Sequence, residues 1–411
     1  MNAVNLKDIL TIKIKPRHDS YSDQFNRIFM TKMYLLASVL IGIDYFHDSV
    51  SCIVPSRSEM DSNFVHSACW IAGFYIYPNL NEHVKASGFY GIPKDLDHDG
   101  VDENQKLCAV YDRYEDRNPY CRPFEKLYFL QYQWYPFYIG SLALLHYLPY
   151  ILFRMTNSDI ISLRNSMKEA IHAEDIIRTF FNDQINPKSV MYVRTAFTYI
   201  VKISYVGVNI LSFYLMDSSL NGNFFLYGID WLQWSKLNNT AANDMYLRDF
   251  PKAGNKLLAP MGICEIHEGS RDIRSSIVNK HKFVCEISPN ILYQYVLIVL
   301  WWLMMLNILI SSAGFLANIL QHCRLWTLFV FRGKEMLFVY RQLTLRECTY
   351  LEYIRSKEIL LFAEIVKKLA IYKQNDLELR EVASICDDSG STMLHPCKVA
   401  KNQEIKTFQN I

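Results

Sequence analysis

Ten cysteines, one acidic run and one Asn-x-Thr triplet are the groups in this 411-residue chain with reactive or ligating potential. Thiols pair oxidatively outside the cell and stay reduced inside it, so the compartment of each cysteine decides its chemistry. The run Asp95-Leu96-Asp97-His98-Asp99-Gly100 sets carboxylates at alternate positions ahead of a glycine, the spacing of a calcium loop. Asp95, Asp97 and Asp99 are therefore candidate ligands for a weakly held Ca2+. The twelfth position of such a loop is Lys106 here rather than a bidentate Glu, which favours a solvated acidic turn instead. Asn238-Asn239-Thr240 is an acceptor triplet for an N-linked sugar. No P-loop, dinucleotide fingerprint or nucleophile elbow is present, and no His, Asp and Ser cluster suggests catalysis. The chain reads as a non-enzyme that requires no cofactor and engages no nucleic acid.

Segregation of charge shows what must position these groups. One residue in five is charged, yet none is charged between Lys126 and Arg154 or between Glu286 and Arg324. Both stretches exceed the ~20 residues that cross ~30 Å of hydrocarbon. Two weaker spans carry charge: 28–46 holds Lys32 and Asp44 near its ends, and 195–216 holds Lys202. A lysine well inside a span calls for a partner or for snorkelling to the interface. The expected spans are 28–46, 127–153, 195–216 and 289–321. His146, inside the second, reads as a packing residue rather than a proton relay.

Lys and Arg gather before the first and third spans and after the second and fourth, while the first long loop is acidic. The positive-inside rule then puts the 1–27 and 322–411 ends and the 154–194 loop in the cytoplasm, and the 47–126 and 217–288 loops outside. No cleavable leader precedes residue 28, so the first span is expected to be its own insertion signal in a multi-pass membrane protein. Cys52, Cys69, Cys108, Cys121, Cys264 and Cys285 fall in the outer loops, an even six whose pairing the sequence leaves open. Cys323, Cys348, Cys386 and Cys397 fall on the inner side.

Four spans with two cysteine-bearing loops fit several families, and the heptapeptide Gln131-Tyr-Gln-Trp-Tyr-Pro-Phe137 separates them. It resembles the innexin signature YYQWVPF, matching at Tyr132, Gln133, Trp134, Pro136 and Phe137 and departing at Gln131 and Tyr135. Ser51–Pro55 (SCIVP), Cys69-Trp70, the 148–154 run LPYILFR, the 202–220 run KISYVGVNILSFYLMDSSL and the segment around Cys285 are similar in register. Tyr293, Gln294 and Tyr295 stand where the family usually has Asn-Glu-Lys. The resemblance covers roughly residues 20–325 and implies a mainly α four-span bundle with disulfide-stapled outer loops and a helical cytoplasmic domain, assembled as a ring.

The resemblance also implies a function: a large-pore channel for ions and small molecules, formed with like or related subunits in rings of about eight and docked to an apposed hemichannel as a gap junction. The alternatives are a non-docking hemichannel and a four-span adhesion protein without a pore. Nested pairing in the family implies Cys52 with Cys285 and Cys69 with Cys264. The 95–121 segment reads as an insertion stapled by Cys108 and Cys121. By position, the N-terminal stretch is expected to enter the pore, with Asn2, Asn5, Lys7 and Asp44 lining it; the alternative is a disordered tail.

Pro136 lacks an N–H and frees the carbonyl four residues earlier, so a kink is expected there, with a donor to meet that carbonyl. Tyr128, Tyr132 and Trp134 suit an interfacial aromatic belt. The 349–372 segment reads as a helix that packs in the cytoplasmic domain, with lipid contact through Lys367 and Lys368 as the other reading. Beyond residue 384 the chain reads as disordered.

Overall fold

A computed structural model describes residues 19–47, 50–55, 60–80, 87–110, 119–169, 172–238, 240, 252–268, 279–331, 339–340 and 342–388. Asn2, Asn5, Lys7 and the 389–411 tail lie outside the described residues. Helix α1 (Tyr21–Gln24) continues through a π-helical stretch, Phe25–Met30, into α2 (Thr31–His47). Then follow β1 (Ser51–Cys52), α3 (Ser62–Ala72), β2 (Phe74–Ile76), β3 (Ser87–Phe89), β4 (Ile92–Pro93), β5 (Gly100–Val101), β6 (Leu107–Cys108), β7 (Arg122–Pro123) and β8 (Leu127–Phe129). The next elements are α4 (Gln131–Thr156), α5 (Ser158–Lys168), α6 (Ala173–Phe180), α7 (Lys188–Ser219), α8 (Tyr227–Ser235) and α9 (Ala253–Leu257). Strands β9 (Met261–Glu268) and β10 (Asn279–Glu286) precede α10 (Ser288–Phe331), α11 (Leu345–Lys357) and α12 (Ile359–Asp388).

Four helical stretches are long and apolar enough to cross a membrane: Tyr21–Ile43, Gln131–Thr156, Lys188–Ser219 and Ser288–Leu320. The first starts seven residues before the expected Ile28, and the third starts at Lys188 rather than 195. Helical hydrogen bonding does not stop where hydrocarbon does, so Asp23, Arg27 and Arg194 extend these helices past the apolar limit that defines a span in sequence.

The described residues form two compact units. The first comprises 25–147 and 208–309 and contains every strand. Its main sheet is antiparallel with order β1-β10-β9-β2-β8. Three span ends meet this sheet directly. Strand β1 follows α2, β8 runs into α4 after one residue, and β10 runs into α10 after one residue. The core is aromatic: Phe74, Tyr75, Tyr77, Phe129, Tyr132, Tyr135, Tyr227 and Tyr293 are all buried. A separate three-stranded sheet, β6-β5-β7, ties the 95–121 region to the residues that directly follow it.

The second unit comprises 19–24, 148–207 and 310–388. Helix α6 shows why it packs: Ala173, Ile176, Ile177 and Phe180 recur at helical spacing, and all four are buried. Helix α11 opens with a capping box, in which Thr344 and Glu347 each bond the other's backbone N–H. At the centre of the unit, Arg346 is only 2% exposed. Its guanidinium donates to both carboxylate oxygens of Asp159, at 2.9 and 2.7 Å, and to Asn157 Oδ1 and Thr198 Oγ1 at 2.9 Å each. Tyr350 also donates to Asp159, and Arg194 lies 3.6 Å from the same carboxylate. Burial by itself would raise the Asp159 pKa. The Arg346 hydrogen bonds and charge, with Tyr350 and the Ile160 N–H, outweigh it and hold the carboxyl below its ordinary range.

Removing Arg346 would leave the buried carboxylate to Tyr350, the Ile160 N–H and the more distant Arg194, a change worth up to roughly 3–5 kcal/mol. Arg346→Leu should therefore lower the melting temperature sharply, and Arg346→Lys less, because a lysine keeps the charge although it cannot make the two-pronged contact. A carboxyl with a depressed folded pKa stabilises above its unfolded value and loses that contribution as the pH falls through the folded value. The melting gap between wild type and Arg346→Leu should accordingly narrow as the pH approaches about 4 and below. A gap constant across that range would argue against an ion pair.

Candidate functional site

Two disulfides cross the first unit. Cys52 on β1 joins Cys285 on β10, and Cys69 on α3 joins Cys264 on β9. Cys52 and Cys285 are also direct partners in the ladder. The bridges lie side by side: the sulfurs of Cys52, Cys69 and Cys285 are within 4.8 Å of one another, and as disulfides they are not metal-binding thiolates. The first closes a separation of 233 residues, for which chain-entropy models give about 5 kcal/mol. Once it exists, the nested bridge closes only about 40 residues, worth roughly 4 kcal/mol on the same model.

The heptapeptide ties this stapled sheet to α4. Helix α3 ends at Gly73, whose φ of +87° suits glycine, and a Cβ there would lie 2.5 Å from Leu130. The last carbonyls of α3 have no intrahelical donors, and the heptapeptide supplies them. Tyr132 Oη donates to the Trp70 carbonyl at 2.7 Å, Gln133 Nε2 donates to it at 2.8 Å, and the Trp70 and Tyr132 rings pack at 4.5 Å. Gln131 accepts the Leu130 N–H at 3.0 Å. Trp134 is 40% exposed and stacks edge-on against Tyr138. Helix α4 runs through Pro136 without a break in its helical span. The carbonyl that Pro136 leaves without a helical donor belongs to Tyr132, and Tyr293 Oη on α10 donates to it at 3.4 Å. Pro136's own carbonyl accepts from Ser38 on α2 at 2.7 Å. One proline thus recruits hydroxyls from two other spans.

The remaining candidates are placed as follows. Asp44 lies on α2, whereas Asn2, Asn5 and Lys7 lie outside the described residues. Cys108 is bonded to Cys121, closing the 95–121 region on itself. The carboxylates of Asp95, Asp97 and Asp99 do not converge: among the described residues the cysteine trio is the one group of three or more potential metal ligands this close together. Asp99 accepts the Val110 N–H at 2.8 Å and pairs with Lys282 at 3.1 Å, while Asp95 caps the Asp97 N–H at 3.1 Å. These contacts describe a structural turn held by a lysine rather than an open calcium loop. Asn238 is exposed, just after α8.

Several polar groups within the spans have partners. Lys202 Nζ is 2.5 Å from Asp23 and 2.6 Å from Ser20 Oγ. His146 Nδ1 meets the Leu142 carbonyl at 2.9 Å, and Asn307 donates to Asn209 at 2.8 Å. In the second unit, a cavity of about 500 Å3 is lined by Ser20, Asp23, Asn157, Thr198, Lys202 and Arg346 among others. Its two cations already have their own carboxylates, so it suits water rather than a charged ligand. The sequence marked Trp70 as part of a motif and Tyr293 as a departure from the family, but nothing in it named either of them, or Asp23, as the partner that these groups meet.

The innexin family model matches residues 19–372. The chain belongs to the innexin family. Among similar proteins are innexin inx3 of Drosophila melanogaster, 24% identical over 299 residues (71% of this chain, 65% of that protein), and innexin inx4 of the same species, 22% identical over 362 residues (84% and 87%). Innexin inx2 of that fly is 25% identical over 309 residues, 69% of this chain and 71% of that protein. The match thus spans slightly less than two thirds of the inx3 length. As an innexin, the chain combines the family's four apolar helices with disulfides between its two long loops.

If Tyr293 meets the carbonyl freed by Pro136, the two residues are energetically coupled. Tyr293→Phe should destabilise this innexin by about 0.5–1.5 kcal/mol. In a Pro136→Ala background the restored N–H closes onto the Tyr132 carbonyl and the cost should shrink. Thermal melts of the four proteins in detergent measure the cycle, and strict additivity would rule the contact out as a stabilising one.

Proposed function

We propose that this innexin is a subunit of a large-pore channel that passes ions and small molecules and docks ring to ring as a gap junction between adjacent cells. Family membership supports a channel-forming subunit in general. The observation that carries the rest is the doubly stapled sheet: three span ends share it, so a rigid body stands on the bundle and can serve as a docking surface. On this reading the disulfide-bearing loops are extracellular, both termini are cytoplasmic, the protein resides in the plasma membrane, and like or related subunits close a ring of about eight. Wide pores of this kind discriminate by radius and by charge at the rim, not by a tight filter.

A non-docking hemichannel is the second reading, favoured by one observation. Asn238 is exposed in the second long loop, where a sugar would keep apposed rings apart, and the stapled 95–121 segment adds bulk to the first. Paired cells expressing the chain, with junctional and single-membrane conductance recorded together, separate the two. Junctional current is expected for the gap-junction reading. Current confined to the single membrane, with junctional coupling appearing in Asn238→Gln, would establish the hemichannel. Neither current, with surface expression verified, would overturn a self-sufficient channel.

A further inference from the structure

Lys252 lies within a box of three aromatic rings in the first unit. Its ammonium is 5.4 Å from the centroid of Trp231, 5.6 Å from that of Trp234 and 5.3 Å from that of Tyr295. The rings brace one another: Trp231 meets Trp234 edge-on at 5.4 Å and Tyr295 at 6.0 Å. Aromatic faces stabilise a cation but do not neutralise it. Among the described residues no carboxylate pairs with Lys252; the nearby Asp230 lies 4.0 Å from Lys256 instead. Among the described residues the ammonium makes one hydrogen bond, a long one of 3.4 Å to the Tyr295 hydroxyl. Trp234 Nε1 is buried and also has no acceptor. The box therefore presents a half-buried ammonium whose acceptor is one distant hydroxyl, beside a buried indole N–H that has no acceptor among the described residues, a state that buried donors rarely keep.

The surroundings identify the missing acceptor. Phe225, Leu226, Ile229 and Leu232 are exposed at and along α8, and Val299 and Trp302 are exposed farther along α10. Tyr295 lies in the second turn of a helix apolar enough to span a membrane. A site at that depth, walled by Trp and Tyr and flanked by exposed apolar side chains, is at headgroup level. What such a level offers an ammonium and an indole N–H is a phosphate oxygen. We propose that Trp231, Trp234, Lys252 and Tyr295 form a binding site for the phosphodiester of a phospholipid. On the orientation proposed above this is an outer-leaflet lipid, though the site itself does not depend on the chain being a channel. The rings orient the lysine, the ammonium and Trp234 N–H hold the phosphate, and the acyl chains lie against the apolar flank.

The test is retained phospholipid per subunit in detergent-purified protein, measured by native mass spectrometry. Wild type should carry bound phospholipid, and Lys252→Gln should retain about tenfold less. Trp234→Phe keeps the ring and removes the donor, so it should lose lipid severalfold while its melting temperature and disulfides stay intact; Lys252→Arg should restore retention. Added short-chain phosphatidylcholine should raise the melting temperature of wild type but not of Lys252→Gln. Equal lipid in all variants would overturn the proposal and leave Lys252 as an internal cation–π latch or the partner of a neighbouring subunit's carboxylate. Stabilisation by inorganic phosphate as strong as by the lipid would overturn the lipid assignment.

Discussion

Strand β1 contributes only two residues to the main sheet, and β8 only three. Ladders that short cannot hold the ends of separate membrane helices in register, since a few backbone hydrogen bonds are readily exchanged for water. The side-by-side disulfides remove that freedom. Cys52–Cys285 clamps β1 to β10 at the sheet edge, and Cys69–Cys264 clamps α3 to β9. Because β1, β8 and β10 each adjoin a span, fixing the sheet fixes where three helices leave it. The heptapeptide extends the frame by attaching the C-terminal carbonyls of α3 to the first turn of α4. Everything that the first unit presents beyond the membrane rests on this frame.

The second unit solves a different problem, since it has no disulfide among the described residues and must be held by packing and by one buried polar cluster. Arg346 joins α11 to Asn157 and Asp159 at the α4–α5 junction and to Thr198 on α7. An apolar replacement of equal shape could be as stable, so the cluster is better understood as a specificity device. Its geometry accepts one arrangement of three helices and penalises any other with an unpaired charge. The free thiol of Cys348 on the same helix is buried, and burial pushes its pKa up to about 12, so it is inert packing.

What was legible in the sequence follows from range. The spans are legible because exclusion of charge is a local property of 20 or more residues. Cysteine pairing is not local: Cys52 and Cys285 are 233 positions apart, and only the resemblance to innexins suggested their order. The need for a donor at the Tyr132 carbonyl could be derived from Pro136, but its source on α10 could not. Lys202 likewise announced a partner without naming Asp23, 179 positions away. The acidic run is a parallel case, because the spacing of Asp95, Asp97 and Asp99 says nothing of Lys282 arriving from β10 to pair with Asp99. Span boundaries shifted because hydropathy reports lipid contact whereas the helix follows its backbone.

The segment at which this chain departs from the usual innexin wording is where its particular contacts gather. Tyr293 meets the carbonyl freed by Pro136. Gln294 donates to the Leu258 carbonyl at 2.7 Å and closes on Gly254, where an added Cβ would lie 2.1 Å from its Oε1. Tyr295 forms one wall of the Lys252 box. Three consecutive side chains on a helix point about 100° apart, so each meets a different neighbour: the second span, the segment before β9, and α8 with its apolar flank. Together the three side chains hold the start of the fourth span by contacts separate from the disulfides. The buried polar groups deeper in the bundle point the same way. His146 meets the Leu142 carbonyl of its own helix, Asn307 donates to Asn209 within the subunit, and all three side chains are almost fully buried. They are therefore poor candidates for facing a space shared between subunits.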